Sequence, residues 1–482
     1  MTCAGWGAEV ASKRDQLQAH QFVVQRAVSA LVTREGDPEQ PPFRRPGGAA
    51  LTGVVLAVIA LAAVGVFGLI DPGGDKTWQD GNSVIVVKET GARFVYLHRQ
   101  LHQVTNYSSA LLALNKAASA NLVSANSLVG VPRGVRIGIQ DAPDALPSRD
   151  HVLTGGWTIC SAPTTDPSGT TVYQSMVLVG QQPRGGTELH GEALLVQVPG
   201  SGDLYLLSDG HRHLISGANA VTVGLALNPN PVVPVNKAVL DVMPDGAPIA
   251  PIPVPNVGAP SQAVPGRTDI RVGQLLVVTS GSGRRYFLAE ARTLRPLTAL
   301  QFDIQRAFQP TSVAYGGGQP AAVPLTPLAA SEASLDPVPP VTENDPPSVP
   351  PRFPLTGPGF TSVCLTFDSG SFTPRLTIDS ALPPASAMTL TTGTAPGGVA
   401  LADRVLVPPG RIAVVESMPA AAAPAGTLAL VTDQGRAYPL ASPDLLDVLG
   451  YSGVHPVRVP AELMARVPQG PGLSHDAAMR TW

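Results

Sequence analysis

The chain has 482 residues, 14% of them charged, and a net charge of −3. That length allows several domains, and the balance lacks the basic field a nucleic-acid partner would need, so no nucleic acid is expected. Its 49 glycines and 50 prolines lie well above average usage, and most of that excess falls after residue 70, where short strands and many turns are expected.

Residues 1–48 form the first segment. From Asp15 to Glu35 the spacing predicts a helix. Leu17, His20, Val24, Ala27, Val28 and Leu31 recur every three or four residues and make one apolar stripe, with Lys13, Arg14, Arg26 and Arg34 outside it. Asp15 suits the N-terminus, and Gly36 with Pro38 ends the helix. So short a segment cannot build a core. Leu17, Val24, Val28 and Leu31 are therefore expected to dock on another subunit or on the membrane surface. Gly36–Gly48 reads as a linker.

Ala49–Ile70 holds 22 residues and no charge. As a helix it covers about 33 Å, enough for a hydrocarbon core of about 30 Å. Soluble helices rarely stay apolar on every face for so many turns. The run exceeds the apolar region of a signal peptide, and no small-x-small cleavage site follows. Arg44 and Arg45 precede it, and Asp71 and Asp75 follow. The positive-inside rule then predicts a single-pass inner-membrane protein, with residues 1–48 cytoplasmic and 71–482 exported.

Beyond the span one pattern recurs four times, expected as repeats over residues 71–135, 183–250, 251–318 and 411–482. Each opens on a nearly all-apolar strand: Ser83–Lys88, Ala193–Val198, Gln274–Thr279 and Ile412–Glu416. A turn and a second strand follow, then a helical stretch; Leu294, Leu297 and Leu300 are read as one such stretch. Three copies carry a related segment: LVGVPRG at Leu128–Gly134, AVLDVMPDG at Ala238–Gly246 and LMARVPQG at Leu463–Gly470. The apolar first strands are expected inside small sheets. Residues 136–182 and 357–410 carry longer strands of another character and read as one discontinuous central β-domain. Residues 319–356 are Pro-rich and read as an extended linker without a core. The expected fold class is α+β, mostly β.

Topology separates the three cysteines. Cys3 falls on the cytoplasmic side, whereas Cys160 and Cys364 are exported and lie in the two central β blocks. In an oxidising compartment they are expected to form a disulfide; the alternative is two free buried thiols. Neither has further ligands at short spacing, so no metal site is expected there.

The order of features resembles the EccB family, a membrane component of the type VII (ESX) secretion machinery. Arg14-Asp15-Gln16-Leu17, Ala30-Leu31-Val32, Pro42-Phe43-Arg44-Arg45, Trp78-Gln79-Asp80-Gly81, Thr90-Gly91-Ala92, Leu101-His102, Asn106, Ser109-Ala110, Val467-Pro468-Gln469-Gly470-Pro471 and Leu473-Ser474 carry the resemblance. Gln103 departs from it, where the family usually has proline. The resemblance implies a cytoplasmic N-terminus, one anchor, and an elongated periplasmic part of four repeats around a disulfide-bearing central domain. It also implies a homo-oligomer, hexameric in the full complex, beside the EccC ATPase, EccD, EccE and the mycosin protease.

An ATPase role has been proposed for this family, but the P-loop pattern is absent. Its nearest approach, Gly73-Gly74-Asp75-Lys76-Thr77, puts Asp75 where the loop needs glycine, and a carboxylate there repels phosphate. His211 and His213 form an H-x-H pair without a third ligand nearby and read as turn residues. No nucleophile elbow or HExxH motif occurs, and no cofactor or catalytic residue is expected. Two readings follow: a structural and assembly subunit of a secretion complex, or a membrane-anchored envelope hydrolase or peptidoglycan-binding protein. The striped helix favours the first.

Overall fold

The computed structural model describes residues 12–34, 44–70, 76–227, 232–354, 362–384, 386 and 389–481. Cys3, Gly36, Pro38, Asp71 and Asp75 lie outside them. Two compact units are present, Met1–Thr77 with Val123–Val131, and Trp78–Leu122 with Pro132–Trp482.

The first unit holds two long helices, α1 (Lys13–Thr33) and α2 (Arg44–Ile70). Ser12 starts α1 with a capping box. Its hydroxyl accepts from Asp15 N at 3.3 Å, and the Asp15 carboxylate accepts from Ser12 N at 3.0 Å. Two amides that the helix leaves open are thereby satisfied. In α2, the Thr52 hydroxyl donates back to Gly48 O at 2.9 Å, so it needs no outside partner. Gly48–Val66 is long and apolar enough to cross a membrane, and none of it is buried.

The second unit is mixed α+β and mostly sheet. Three four-stranded sheets and one five-stranded sheet, whose extra strand Val152–Leu153 pairs with Ile412–Ala413, share one four-strand path. In spatial order the first runs Gln100–Gln103, Arg93–Leu97, Val84–Val87, Ala120–Val123, and the second His211–Leu214, Leu204–Ser208, Leu194–Gln197, Val233–Pro234. The third runs Leu294–Leu297, Gly283–Ala289, Leu275–Ser280, Val323–Leu325, and the fourth Ala437–Pro439, Thr427–Thr432, Ile412–Met418, Val457–Pro460. The strand that comes first in sequence is interior each time, which explains its apolar run. An antiparallel hairpin partner covers one side, and a short strand returning later covers the other. In the last three sheets that returning strand is parallel. Pro234, Pro324 and Pro460 lie in these edge strands, where a missing N–H discourages further pairing.

Two expectations change here. Leu294 and Leu297 lie on the strand Leu294–Leu297, and the helix begins only at Ala299. Pro296 pushes Arg295 out of the helical region, whereas on an edge strand it costs little. The Pro-rich segment is also not extended throughout. Val323–Leu325 pairs with Leu276–Val278, and Pro327–Glu332 is a helix with proline in its first turn. Leu325 and Ala330 are buried in the third sheet's core. The strap that follows docks through its carbonyls, which proline leaves intact. Asn344 O accepts from Ala247 N at 2.7 Å, and Arg352 O from Ala193 N at 2.8 Å.

A six-stranded central sheet joins distant parts of the chain in the order Arg404–Leu406, Thr171–Leu178, Trp157–Thr165, Val363–Phe367, Arg375–Ile378, Thr187–Glu188. Its apolar face packs with residues of the second and fourth sheets, among them Trp157, Val177, Val196, Phe367 and Val415. The first and fourth sheets share a separate core, in which Leu111, Leu112, Ile137, Val414, Tyr438 and Leu473 meet.

The recurring PxG segments have a steric cause. A Cβ on Gly134 would lie 2.2 Å from the His102 ring, one on Gly246 2.3 Å from the His213 ring, and one on Gly470 2.4 Å from the Tyr438 ring. In all three sheets an aromatic ring from the third strand lies flat on a glycine about thirty residues later. The bridges Leu101↔Arg133, Arg212↔Asp245 and Ala437↔Gln469 fix that register. The third sheet has the matching bridge Leu294↔Leu335, but its next pair is Arg295 and Asp336, 3.8 Å apart as an ion pair. Gly470→Ala is expected to destabilise the fourth sheet by about 1–3 kcal/mol through overpacking against a buried ring. Tyr438→Ala in the same chain should erase most of the added cost of Gly470→Ala, measured as a double-mutant cycle of denaturation midpoints.

Candidate functional site

Helix α1 carries the residues expected to dock. Leu17, Val24 and Leu31 are 60%, 46% and 84% exposed, and Val28 is half-buried. The apolar surface is wider than the stripe, because Phe22 and Val23 are also exposed. The Arg26 guanidinium lies over the Phe22 ring, 5.5 Å from its centre, which gives part of that surface a cationic edge. Val23 lies three residues after His20 and four before Ala27, at the stripe's edge, whereas Phe22 falls off the spacing, so periodicity could not select it.

Cys160 and Cys364 lie directly opposite each other on neighbouring antiparallel strands of the central sheet. They form a disulfide with Cα atoms 4.0 Å apart and a sequence separation of 204. Met176, Leu178 and Leu406 surround the bond, and both cysteines are fully buried. The pairing register is a long-range property that no local sequence signal carries.

His211 and His213 are strand residues rather than turn residues, on His211–Leu214, and both are buried. The ring contact with Gly246 holds His213 inside, and the turn lies one step earlier at Asp209 and Gly210. Among the described residues no group of three or more His, Cys, Asp or Glu side chains could hold a metal. Gly73, Gly74 and Asp75 lie outside the described residues, and Thr77 opens a short 3-10 turn over Thr77–Asp80.

A cavity of about 470 Å³ separates elements of the second and fourth sheets, lined in part by Arg212, Asp241, Asp245, Glu462 and Arg466. Its charges are used internally. Arg212 bonds Asp245 at 2.6 Å and Asp241 at 3.1 Å, and buried Arg466 donates to Ala400 O at 2.8 Å. Arg466 also lies 3.9 Å from the Asp241 carboxylate, which links the fourth sheet's last segment to the second's.

The residues that carried the family resemblance also do local structural work. Trp78 is buried edge-on against Tyr96 at 5.5 Å. Thr90 Oγ1 accepts from Ala92 N across the turn around Gly91. Asn106 caps the helix Tyr107–Leu114, its Oδ1 accepting from Ser109 N at 2.9 Å and its Nδ2 donating to Ile139 O at 2.7 Å. Ser474 caps the helix His475–Ala478, and the His475 Nδ1 donates to Leu112 O at 2.8 Å. These bonds tie the chain's last turn to the first sheet's helix.

A family model described as "Type VII secretion system ESX-1, transport TM domain B" matches residues 10–482. The curated protein "ESX-1 secretion system ATPase EccB1" of Mycobacterium tuberculosis (strain ATCC 25618 / H37Rv) is 27% identical over 302 residues, 61% of this chain and 61% of that protein. "ESX-3 secretion system ATPase EccB3" of the same strain is 30% identical over 257 residues, 52% of this chain and 46% of that protein. The aligned stretches thus span less than two thirds of these relatives. A chain in a solved intact ESX-5 inner membrane complex has the same fold, with a TM-score of 0.63 and 22% identity over 99% of this chain and 97% of that one. A solved EccB3 dimer from an ESX-3 core complex gives a TM-score of 0.61 and 23% identity over 83% of this chain and 100% of that one.

Proposed function

This chain belongs to the EccB family of type VII secretion proteins, and from that premise we propose that it is a structural and assembly subunit of an ESX inner-membrane secretion complex. The observation that carries the reading is the pairing of a bare apolar span, Gly48–Val66, with a preceding helix whose apolar residues Leu17, Val24 and Leu31 face solvent. Exposed apolar side chains next to a membrane anchor gain most by docking on a neighbour at the membrane. Helix α1 is the docking element for the EccC ATPase or EccD. The common plan of the four small sheets supports reading them as repeats of one module around the disulfide-tied central domain. They oligomerise on the exported side, as a hexamer in the full complex that also includes EccE and the mycosin protease. The relatives' names include the word ATPase; the role proposed here is assembly. Affinity purification of the tagged chain from native membranes tests this reading, and recovery of the chain alone would speak against it.

Orientation belongs to the same proposal. Arg44 and Arg45 before the span and Asp71 and Asp75 after it favour a cytoplasmic N-terminal segment and an exported body. Protease added to the outer face of intact inner-membrane preparations is expected to remove the sheets and spare a fragment through α2. Protection of the C-terminal body would reverse the topology and place the disulfide in a reducing compartment.

A further inference from the structure

His211 and His213 are two buried imidazoles on one face of an edge strand, with ring centres 6.4 Å apart. His213 is only 1% exposed. Its Nδ1 lies 2.8 Å from Ala247 O, and His211 Nδ1 lies 3.1 Å from Asp209 O. A carbonyl can only accept, so each ring carries its proton on Nδ1 and offers Nε2 for a second one. Ala247 is also the residue whose amide donates to Asn344 O of the Pro-rich strap at 2.7 Å. One continuous hydrogen-bonded path thus runs from the His213 ring through residue 247 to the strap that carries the chain back to the central sheet.

We propose that the His211–His213 pair is an acid-sensitive latch, in which protonation releases Ala247 and the strap at Asn344 from the edge of the second sheet. The Gly246 backbone lies against the His213 ring, which is almost wholly shielded from solvent. An imidazolium there loses its hydration, and a second one two residues away repels it. The charged groups that act on His213 are His211 on its own strand, Asp209 in the preceding turn and Asp345 on the strap. Burial, helped by His211, outweighs the Ala247 hydrogen bond and the two carboxylates, all three of which favour the charged ring, and holds the His213 pKa below its ordinary value. With the folded value depressed, the latch is fully stable above the ordinary histidine range and weakens as pH falls through it. The charged ring relieves its burial by swinging out to water, which breaks the bond to Ala247. Arg212, between the two histidines, points to Asp241 and Asp245 and stays paired.

The test is hydrogen exchange on the full chain in detergent or nanodiscs at about pH 7.5 and about pH 5, with intrinsic rates corrected. The Ala247 amide is expected to lose protection about tenfold or more in acid, one pKa unit of coupling being a factor of ten. The Gly470 amide, held at 2.7 Å by Ala437 O beside the Tyr438 phenol, serves as control and should keep its protection. His213→Asn retains a donor near the Nδ1 position without titrating and should abolish the acid effect. Should His213→Asn fail to fold, His211→Asn removes the repulsive neighbour and should shrink the loss in the same assay. Equal protection of Ala247 at both pH values in the parent, or an undiminished acid effect in a folded variant, would overturn the latch.

Discussion

Val24→Asp combined with Val28→Asp is expected to leave the sheet-bearing body folded and α2 inserted, yet to abolish co-purification of the other membrane subunits and stop secretion. The physical reason lies in α1. Its capping box stabilises the first turn, but an isolated helix of about 20 residues is marginal in water, so a partner surface must supply the rest. Burying one Val side chain contributes about 1.5–3 kcal/mol, and two carboxylates in the same contact replace that gain with a desolvation cost. Gln18→Asp with Gln25→Asp adds the same charge about a quarter-turn away from the stripe and serves as the control. Equal loss in both variants would mean that charge alone disturbs assembly. Normal assembly of the stripe variant would reduce α1 to a tether.

The disulfide has the largest expected effect on stability. Closing a loop of 204 residues restricts the unfolded chain by about 5 kcal/mol in the chain-entropy picture, less whatever structure the reduced state keeps. Cys160→Ala with Cys364→Ala should therefore lower the denaturation midpoint of the sheet-bearing body and expose the pairing of Trp157–Ser161 with Val363–Phe367 to proteolysis. The strand register itself should survive, because Ile159, Leu365 and Phe367 remain buried beside it. Non-reducing peptide mapping of the parent must recover one peptide joining the two cysteines. Two free thiols in exported protein, or an unchanged midpoint in the double variant, would contradict this assignment.

How much of this was legible in the chain depends on the range of each interaction. Runs such as VIVV at Val84–Val87 and LLVV at Leu275–Val278 announce interior strands because both neighbours cover them. Their fourth partners are two to four residues long and three of them hold proline, so Val233–Pro234 and Val323–Leu325 give no periodic signal at all. Local pattern therefore left the third sheet's last strand inside a segment read as linker. The PxG echo was visible as a string, but its cause was not. The ring that forbids a Cβ on Gly134, Gly246 or Gly470 comes from His102, His213 or Tyr438, on a strand formed about thirty residues earlier. The third sheet shows how that constraint is lost: where Arg295 replaces the ring, Asp336 replaces the glycine. On α1 the stripe was legible from spacing, while Phe22 widened the exposed apolar surface from a position that a single-face reading discards.

The most direct measurement is the mass of the particle that holds this chain after gentle detergent extraction from its native membrane. An assembly subunit predicts a very large complex in which the chain is present in several copies together with a membrane ATPase, and from which the Val24→Asp, Val28→Asp variant is missing. A detergent-solubilised monomer with no partners, seen for parent and variant alike, would contradict the assembly role and leave an envelope hydrolase or peptidoglycan-binding protein as the better reading.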